Sequence, residues 1–209
     1  MLAAIAVASL IVLPVAAQAG RDATQQQLRD DRAAAQASAT PDPDGAAPVD
    51  PDAPGEPVPT EAPRADPIPD DACTTANSTL MAPAPDGATG HRGQEIQLVN
   101  AADTPCTLEG YLDVAYGDQN GHLLDVTVEH GSSFMAQDGG AVPITLQPGE
   151  SAFAEIGWDA NSMHGQLVAS TLWVATRPGD DRLTWDMRLD IVPGATVKVT
   201  AWHLRQSGT

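Results

Sequence analysis

The nine residues from Leu183 to Ile191 constrain the fold more than any other stretch, because apolar and polar side chains alternate strictly along them. Leucine, tryptophan, methionine or isoleucine occupies every second position, and threonine, aspartate or arginine occupies the positions between. A period of two over this length predicts a β-strand with one dry face and one solvated face.

Shorter stretches with the same alternation occur at residues 124–128, 152–158 and 197–201. No stretch after residue 73 repeats apolar residues with the 3.6-residue period of a helix. Dipeptides typical of turns separate the apolar stretches: Asn120-Gly121, Gly139-Gly140, Pro148-Gly149, Pro178-Gly179 and Pro193-Gly194. Many short strands joined by such turns predict an all-β domain, a single antiparallel Ig-like β-sandwich.

The N-terminus begins with an apolar run from Leu2 to Ala19. Small residues at Ala17 and Ala19 suit cleavage by signal peptidase before Gly20. No lysine or arginine precedes the run, which departs from a standard signal peptide and leaves a second reading, an uncleaved apolar helix that anchors the chain in a membrane. Residues 1–19 are therefore expected to be a signal peptide or a membrane anchor, and both predict export to an extracytoplasmic location.

Residues 20–72 differ in composition from the rest of the chain. Ten of the eighteen prolines lie between Pro41 and Pro69, among aspartate, glutamate and alanine. Prolines remove backbone donors, and like charges keep a chain extended, so this range predicts a disordered acidic linker. All eight aromatic residues lie between Tyr111 and Trp202, which places the folded domain at residues 73–209.

The charge of the chain excludes two classes of partner. There are 28 acidic and 10 basic residues, which gives a formal net charge of −18. Nucleic acids and anionic lipid surfaces both need clustered lysine and arginine. We therefore expect no nucleic-acid partner, and contact with a membrane only through residues 1–19 if these are retained.

Two cysteines, Cys73 and Cys106, stand at the start of the predicted domain. In an exported protein such a pair is more often joined than free, so a disulfide is predicted. Two cysteines are too few for a cysteine-based zinc site, and neither belongs to a CxxC motif.

A series of short motifs follows in a characteristic order. The motifs are an opening cysteine (Cys73), a Gly-Ala-x-Gly turn (87–90), a strand that ends in asparagine (96–100), Cys-Thr-Leu-Glu-Gly-Tyr (106–111), Leu-x-Pro-Gly (146–149) and a strand that ends in Trp158. This order resembles domain of unknown function 4232, a family of exported proteins and lipoproteins of actinobacteria. Family members commonly have proline where this chain has Leu112. The resemblance implies an extracytoplasmic β-sandwich without an established activity.

Metal binding and catalysis are the alternatives to a purely structural or binding role. Met163 and His164 in a predicted loop suggest a periplasm-type copper carrier, because soft ligands suit Cu(I), although no HxH, HxxxH or MxxM spacing occurs. A carboxylate-dependent hydrolase would use a pair among Glu129, Glu150, Glu155 and Asp159. No GxSxG motif marks a serine nucleophile. We expect no enzyme, no cofactor and no metal site.

A binding role would need exposed side chains that can contact a partner. By the alternation, Phe153, Trp173 and Trp202 fall on the face opposite their apolar neighbours. Outward aromatic rings stack on sugars or anchor protein partners. The sequence therefore predicts a cell-envelope protein that recognises an unidentified protein or glycan, with these three residues as candidate contacts.

Overall fold

The computed structural model describes residues 45–63 and 67–205, together with Gln27. Within residues 45–63 and 67–205 the regular structure is entirely β, so the all-β prediction is confirmed. The strands are β1 (Ser78–Met81), β2 (Asp86–Ala88), β3 (His91–Asn100), β4 (Cys106–Leu108), β5 (Asp113–Asp118), β6 (Val126–His130), β7 (Ile144–Leu146), β8 (Ser151–Asp159), β9 (Ala169–Ala175), β10 (Leu183–Asp186) and β11 (Ala195–Val199). The predicted signal peptide or anchor at residues 1–19 lies outside the described residues.

The strands form three sheets. The largest has the order β1-β3-β8-β11-β6, and β2 adds to it by pairing with β3. A second sheet has the order β10-β9-β5, and β4 pairs with β7 in a third. All pairs are antiparallel except β6 with β11, which are parallel. The expectation of a purely antiparallel domain is corrected there, because the chain reaches β11 through the second sheet rather than through a hairpin from β6.

The core lies between the inner faces of the largest sheet and the second sheet. On β3 the side chains of Ile96 and Leu98 are fully buried, while those of the alternate residues are half-buried on the opposite, outer face. The same core cluster includes Tyr116 of β5 and Leu172 of β9. Burial of these side chains stabilises the fold by about 1.5–3 kcal/mol for each large one, before the entropy of ordering the chain is counted.

The alternating stretch at residues 183–191 forms a strand only in its first half. β10 ends at Asp186, and Leu183 at its start is 38% exposed rather than dry. The backbone N–H groups of Met187 and Leu189 donate to the adjacent carbonyls of Ser170 and Ala169, so the pairing slips by one residue. The ladder is therefore broken after Asp186, although Leu189 still reaches the core at 2% exposure.

The segment before the predicted domain boundary lies against the domain. The side chains of Val58, Ala62 and Ala72 are buried. Carbonyl oxygens of residues 45–72 accept hydrogen bonds from distant backbone N–H groups, as in Arg182 N–H to the Thr60 carbonyl at 2.7 Å. This packing corrects the disordered linker expected over residues 20–72 for the described parts, 45–63 and 67–72. Proline removes a donor but leaves its carbonyl free, so a proline-rich segment can still pair with the edge of a fold.

The disulfide prediction is confirmed. Cys73 is bonded to Cys106, with the two Cα atoms 5.0 Å apart. The bridge joins the segment before β1 to β4, where the backbone N–H of Cys73 also donates to the Thr107 carbonyl.

All these elements belong to the unit Pro43–Thr209. Among the described residues, no helix is both long and apolar enough to cross a membrane.

Candidate functional site

Two glycines create a flat area on the outer face of the largest sheet. Gly93 of β3 pairs directly with Gly157 of β8. A Cβ atom at position 157 would collide with the side chain of Ser133, and one at position 93 would lie 2.8 Å from the Cβ of Met135. Because neither glycine has a side chain, the loop at residues 131–136 lies directly on the sheet.

The conformation of this loop exposes one aromatic ring. The Ser133 hydroxyl accepts hydrogen bonds from the backbone N–H groups of Met135 and Ala136, each at 3.1 Å. The turn that results leaves Phe134 66% exposed. One side of the Phe134 ring stacks on the imidazole of His91, with ring centroids 4.0 Å apart and planes inclined by 17°.

A cleft of about 230 Å³ opens beside this ring pair, and we name it the His91 cleft. It combines aromatic, hydroxyl and charged side chains, the mixture that binding sites for polar ligands use. Its lining residues are His91, Arg92, Ser132, Ser133, Phe134, Gly157, Trp158, Asp159, Thr196 and Lys198. Nδ1 of His91 lies 2.6 Å from the Asp159 carboxylate, which orients the imidazole.

Each basic side chain of the cleft is paired with a carboxylate. The guanidinium of Arg92 lies 2.9 Å from the Asp190 carboxylate, which also accepts the indole N–H of Trp158 at 2.7 Å. Lys198, the only lysine of the sequence, is 3.8 Å from Glu129 in an exposed and therefore weak pair. The Lys198 ammonium group thus retains donors for a ligand.

The serines of the cleft are not arranged as nucleophiles. A catalytic serine donates its hydroxyl proton to an imidazole nitrogen at hydrogen-bond distance. Among the hydrogen bonds of the described residues, none joins Ser132 or Ser133 to His91, and both hydroxyls instead accept backbone N–H groups. Both hydroxyls therefore help to hold the backbone of the loop in place.

Two glutamates face each other farther along the same outer face. Glu155 of β8 is paired in register with Glu95 of β3, which the sequence analysis did not identify. Partial burial raises the pKa of Glu155 to about 7, and the neighbouring carboxylates of Glu95 and Asp86 contribute to the rise. Arg205 pairs with Glu95 at 2.5 Å and places its guanidinium 4.1 Å from the centre of the Phe153 ring.

The four carboxylates considered for hydrolysis do not converge. Glu155 and Asp159 share the outer face of β8, but four residues of strand separate them by about 13 Å. Asp159 contacts His91, and the exposed Glu150 accepts the backbone N–H of Gln147 at 2.8 Å. Glu129 pairs with Lys198 on the neighbouring strand. The partner of Glu155 is Glu95, which lies 60 residues earlier and becomes a neighbour only through the register of the sheet.

Two of the three candidate contact aromatics are inaccessible. Trp202 is 1% exposed and donates its indole N–H to the Thr176 carbonyl at 2.9 Å. Phe153 is buried beneath the C-terminal segment, whose His203 pairs with it through the backbone. Trp173 is half-buried and donates its indole N–H to the Thr171 hydroxyl. The alternation rule assumes one solvated face, whereas strand β8 is covered on both.

Phe134 is the exposed aromatic that the sequence analysis missed. It lies in a loop rich in glycine and serine, where no periodic pattern marks a face. A large aromatic residue within such a polar loop was itself the available signal. Within the described residues, no three His, Cys, Asp or Glu side chains lie close enough together to hold a metal ion.

The Cys-Thr-Leu-Glu-Gly-Tyr motif supports the loop that carries Phe134. The Tyr111 hydroxyl at its end donates to Asp138 at 3.0 Å, and this hydrogen bond raises the pKa of Tyr111. Asp138 in turn accepts the backbone N–H of Ala201 at 2.8 Å. The Tyr111 ring stacks on His130 with 3.9 Å between centroids. The motif therefore ties the loop to both β6 and the chain after β11.

The model of a domain of unknown function, DUF4232, matches residues 73–203 of this chain. The chain belongs to this family. The motifs described above are thus those of a DUF4232 domain, which confirms the family predicted from them. No curated protein matches the chain.

Among solved structures, a β-glucosidase from Kluyveromyces marxianus matches with 14% sequence identity and a TM-score of 0.31. The match covers 59% of this chain and 15% of the β-glucosidase chain, so this DUF4232 protein spans only a small part of the enzyme's length. A likeness at this level supports no conclusion about activity.

Proposed function

We propose that this DUF4232 protein is an exported, non-enzymatic recognition module of the cell envelope. Residues 1–19 direct export, either as a cleaved signal peptide or as a retained anchor. The disulfide between Cys73 and Cys106 supports an oxidising, extracytoplasmic compartment. An Ig-like β-sandwich presents the binding site, and the core shared by the largest sheet and the second sheet supports this architecture.

The observation that carries the proposal is the His91 cleft. Phe134 is exposed yet held in place by its stack on His91, so a partner gains contact area without first ordering the ring. Hydroxyl groups and the Lys198 ammonium surround the ring and supply directional hydrogen bonds. An envelope glycan or a protein segment offers the complementary sugar faces, hydroxyls or carboxylates.

The absence of catalysis in this proposal is supported by how the polar groups are used. His91 is held between Asp159 and Phe134, and the serine hydroxyls accept backbone hydrogen bonds. The carboxylates weighed for hydrolysis point to separate contacts. The contacts of His91 and of the two serine hydroxyls fix the shape of the cleft.

The proposal is tested by binding of the full chain to isolated cell envelope before and after protease treatment. We expect saturable binding in untreated envelope. Binding that survives protease identifies a glycan partner, and binding that is lost identifies a protein partner. No saturable binding would overturn the recognition function.

Variants connect that binding to the cleft. Phe134→Ala is expected to weaken binding about thirtyfold, since truncation of an aromatic anchor commonly removes about 2 kcal/mol. Val142→Ala is the matched control, because Val142 is 57% exposed and does not line the cleft. Equal affinity of the Phe134 variant and the unmodified chain, with both folded, would place recognition on another surface.

A further inference from the structure

The His91 cleft lies in the middle of the largest sheet rather than at its edge. Apart from the loop at residues 131–136, its lining comes from β3, β8 and β11, which are all interior strands in the order β1-β3-β8-β11-β6. A common way for an extended peptide to bind a sheet is to add a strand along a free edge, and the cleft offers no such edge. A compact ligand that lies on the face of the sheet is therefore favoured over an extended peptide.

Polar side chains lie next to one another on this face. His91 of β3 is paired in register with Asp159 of β8. Thr196 of β11 is exposed and directly precedes Val197, whose partner on β8 is Trp158. Because neighbouring strands are about 4.8 Å apart, Asp159 and Thr196 occupy adjacent positions on the outer face.

These side chains offer both acceptors and donors of hydrogen bonds. The Asp159 side chain is 83% exposed, and its Oδ1 atom contacts His91, whereas its second oxygen has no hydrogen bond among the described residues. The Thr196 hydroxyl can donate and accept, and the Lys198 ammonium group donates. Hydroxyls on adjacent carbons of a sugar also donate and accept, so two of them can bond with an acceptor and a donor that lie side by side.

The aromatic wall and the volume of the cleft fit a single sugar ring. One face of the Phe134 ring stacks on His91, and the ring is largely exposed, so its other face is open to a ligand. The C–H face of a sugar ring packs on such an aromatic surface. The cleft volume of about 230 Å³ is about eight times the ~30 Å³ share of one liquid water, which suits one sugar residue.

The charges of the cleft favour a neutral ligand. Arg92 is paired with Asp190, and Lys198 is paired with Glu129. An acidic sugar would therefore meet no uncompensated cation, and its carboxylate would lie close to that of Asp159, which repels like charge.

We propose that the His91 cleft binds one uncharged sugar residue of an envelope glycan through two hydroxyls on adjacent ring carbons. One hydroxyl donates to the Asp159 carboxylate, the other bonds with Thr196 and Lys198, and the C–H face of the ring packs on Phe134. Such binding rests on the recognition function proposed above, and it makes the partner a glycan rather than a protein.

The test measures binding of the full chain to three preparations of isolated cell envelope. The first is untreated, the second is treated with protease, and the third is treated with protease, oxidised with periodate and reduced with borohydride. Periodate cleaves the carbon–carbon bond between adjacent hydroxyl-bearing carbons, and borohydride reduces the resulting aldehydes so that they cannot react with Lys198. We expect equal binding to the first two preparations and a loss of about tenfold or more with the third. Envelope treated with protease, iodate and borohydride is the control and should bind like the second.

The outcomes separate the sugar from the wider recognition function. No binding to untreated envelope would overturn recognition itself. Binding that is lost after protease would overturn only the glycan, and binding that survives periodate would overturn the adjacent hydroxyls. A neutral ligand also predicts little change in affinity between about 0.05 and 0.5 M NaCl, because salt screens charge pairs. A tenfold loss over that range would overturn the neutral sugar.

Two variants connect the binding to the cleft. Asp159→Asn changes an exposed acceptor and is expected to weaken binding to protease-treated envelope about tenfold, whereas Asp103→Asn makes the same change of charge on exposed surface outside the cleft and should not. Thr196→Val removes one hydroxyl and should weaken binding about three- to tenfold. Its control is Thr145→Val, at an exposed position of β7. A folded cleft variant that binds as tightly as its control would overturn the proposal.

Discussion

The disulfide end of the domain and the outer face of β3 and β8 both contain buried or half-buried polar side chains, but only those at the disulfide end are surrounded by hydrogen-bond partners. At the disulfide end, around Cys73 and Cys106, the buried amide of Asn100 donates to the carbonyls of Thr104 and Leu146. Its oxygen accepts the backbone N–H of Ala102 at 3.0 Å. On the outer face, the half-buried Glu155 is paired in register with Glu95, a second carboxylate.

The two regions also show that a buried or half-buried carboxylate can either hold a loop in place or have a raised pKa, depending on whether hydrogen-bond donors surround it. Asp180, 6% exposed near the disulfide, accepts hydrogen bonds from the backbone and hydroxyl of Thr75 and holds its loop. Glu155 lacks such compensation from its carboxylate neighbours, and the pKa of Glu155 rises to about 7. Carboxylates that accept hydrogen bonds from nearby donors stabilise the fold, whereas those without such donors have raised pKa values and change protonation with pH.

Removing the disulfide should give the largest loss of stability, because it weakens the disulfide end of the domain. The double variant Cys73→Ser/Cys106→Ser is expected to lose about 3–4 kcal/mol of unfolding free energy, because the closed loop restricts the unfolded chain. Urea unfolding measures the loss. Reductant should lower the unfolding free energy of the unmodified chain by a similar amount and should leave that of the double variant unchanged. A reduced chain as stable as the oxidised one would contradict this prediction.

Asn100→Ala tests whether hydrogen bonds also stabilise the disulfide end. The change leaves the buried carbonyl of Leu146, the partly buried carbonyl of Thr104 and the Ala102 N–H without their side-chain partner, so we expect a loss of about 2–3 kcal/mol. Thermal or urea unfolding is the measurement. Asn161→Ala is the control, because Asn161 is half-buried and its side chain donates to the Asp159 carbonyl near the surface. The comparison fails if the two variants lose equal stability.

Glu155→Gln should give the smallest effect and the opposite sign. The pKa of Glu155 rises from 4.5 to about 7 on folding, so the folded state binds more protons between these values and stability falls as pH rises through that window. Above pH 7 the variant is expected to be more stable by about 1 kcal/mol, a figure reduced for the partial exposure of the side chain. Unfolding measured from pH 4 to pH 8 detects the difference.

The control for that measurement is Glu109→Gln, which changes an exposed glutamate outside the outer face. It should keep the pH dependence of the unmodified chain. A Glu155→Gln variant with the same pH dependence as the Glu109 variant would show that Glu155 does not titrate in this window, and the contrast between the two regions would then rest on packing alone.

The strands were predictable wherever one local pattern decided them. The alternation at residues 152–158 corresponds to β8, and turn glycines such as Gly149 have a positive φ, here 80°. The pattern at residues 183–191 predicted a longer strand than β10, because alternation reports which side chains are buried and not whether the ladder continues. The cysteine pair was predictable from compartment and number.

The candidate site was predictable only in small part. Phe153 lies on the outer face where alternation placed it but is covered by the C-terminal segment, whereas Trp202 was predicted to face outward and instead belongs to the same core cluster as Val197 and Val199. Glu155 was identified singly, and its neighbour Glu95 was not, since no local rule joins residues 60 positions apart. The proline-rich segment at residues 56–63 shows the same limit. Its composition predicts the flexibility of the unfolded segment, but it does not show which backbone N–H groups of the domain its carbonyls can accept.

From sequence alone come the all-β class, the turns, the disulfide and membership of the DUF4232 family, because periodicity, glycine conformation and short motifs act within a few residues. The pairing of Gly93 with Gly157 and the stack of Phe134 on His91 were decided by the tertiary structure, as was the pairing of residues 56–63 with the domain. Each depends on strand register or on a loop laid across a sheet. Contacts between distant residues arise when the whole core is packed, and no local preference specifies them.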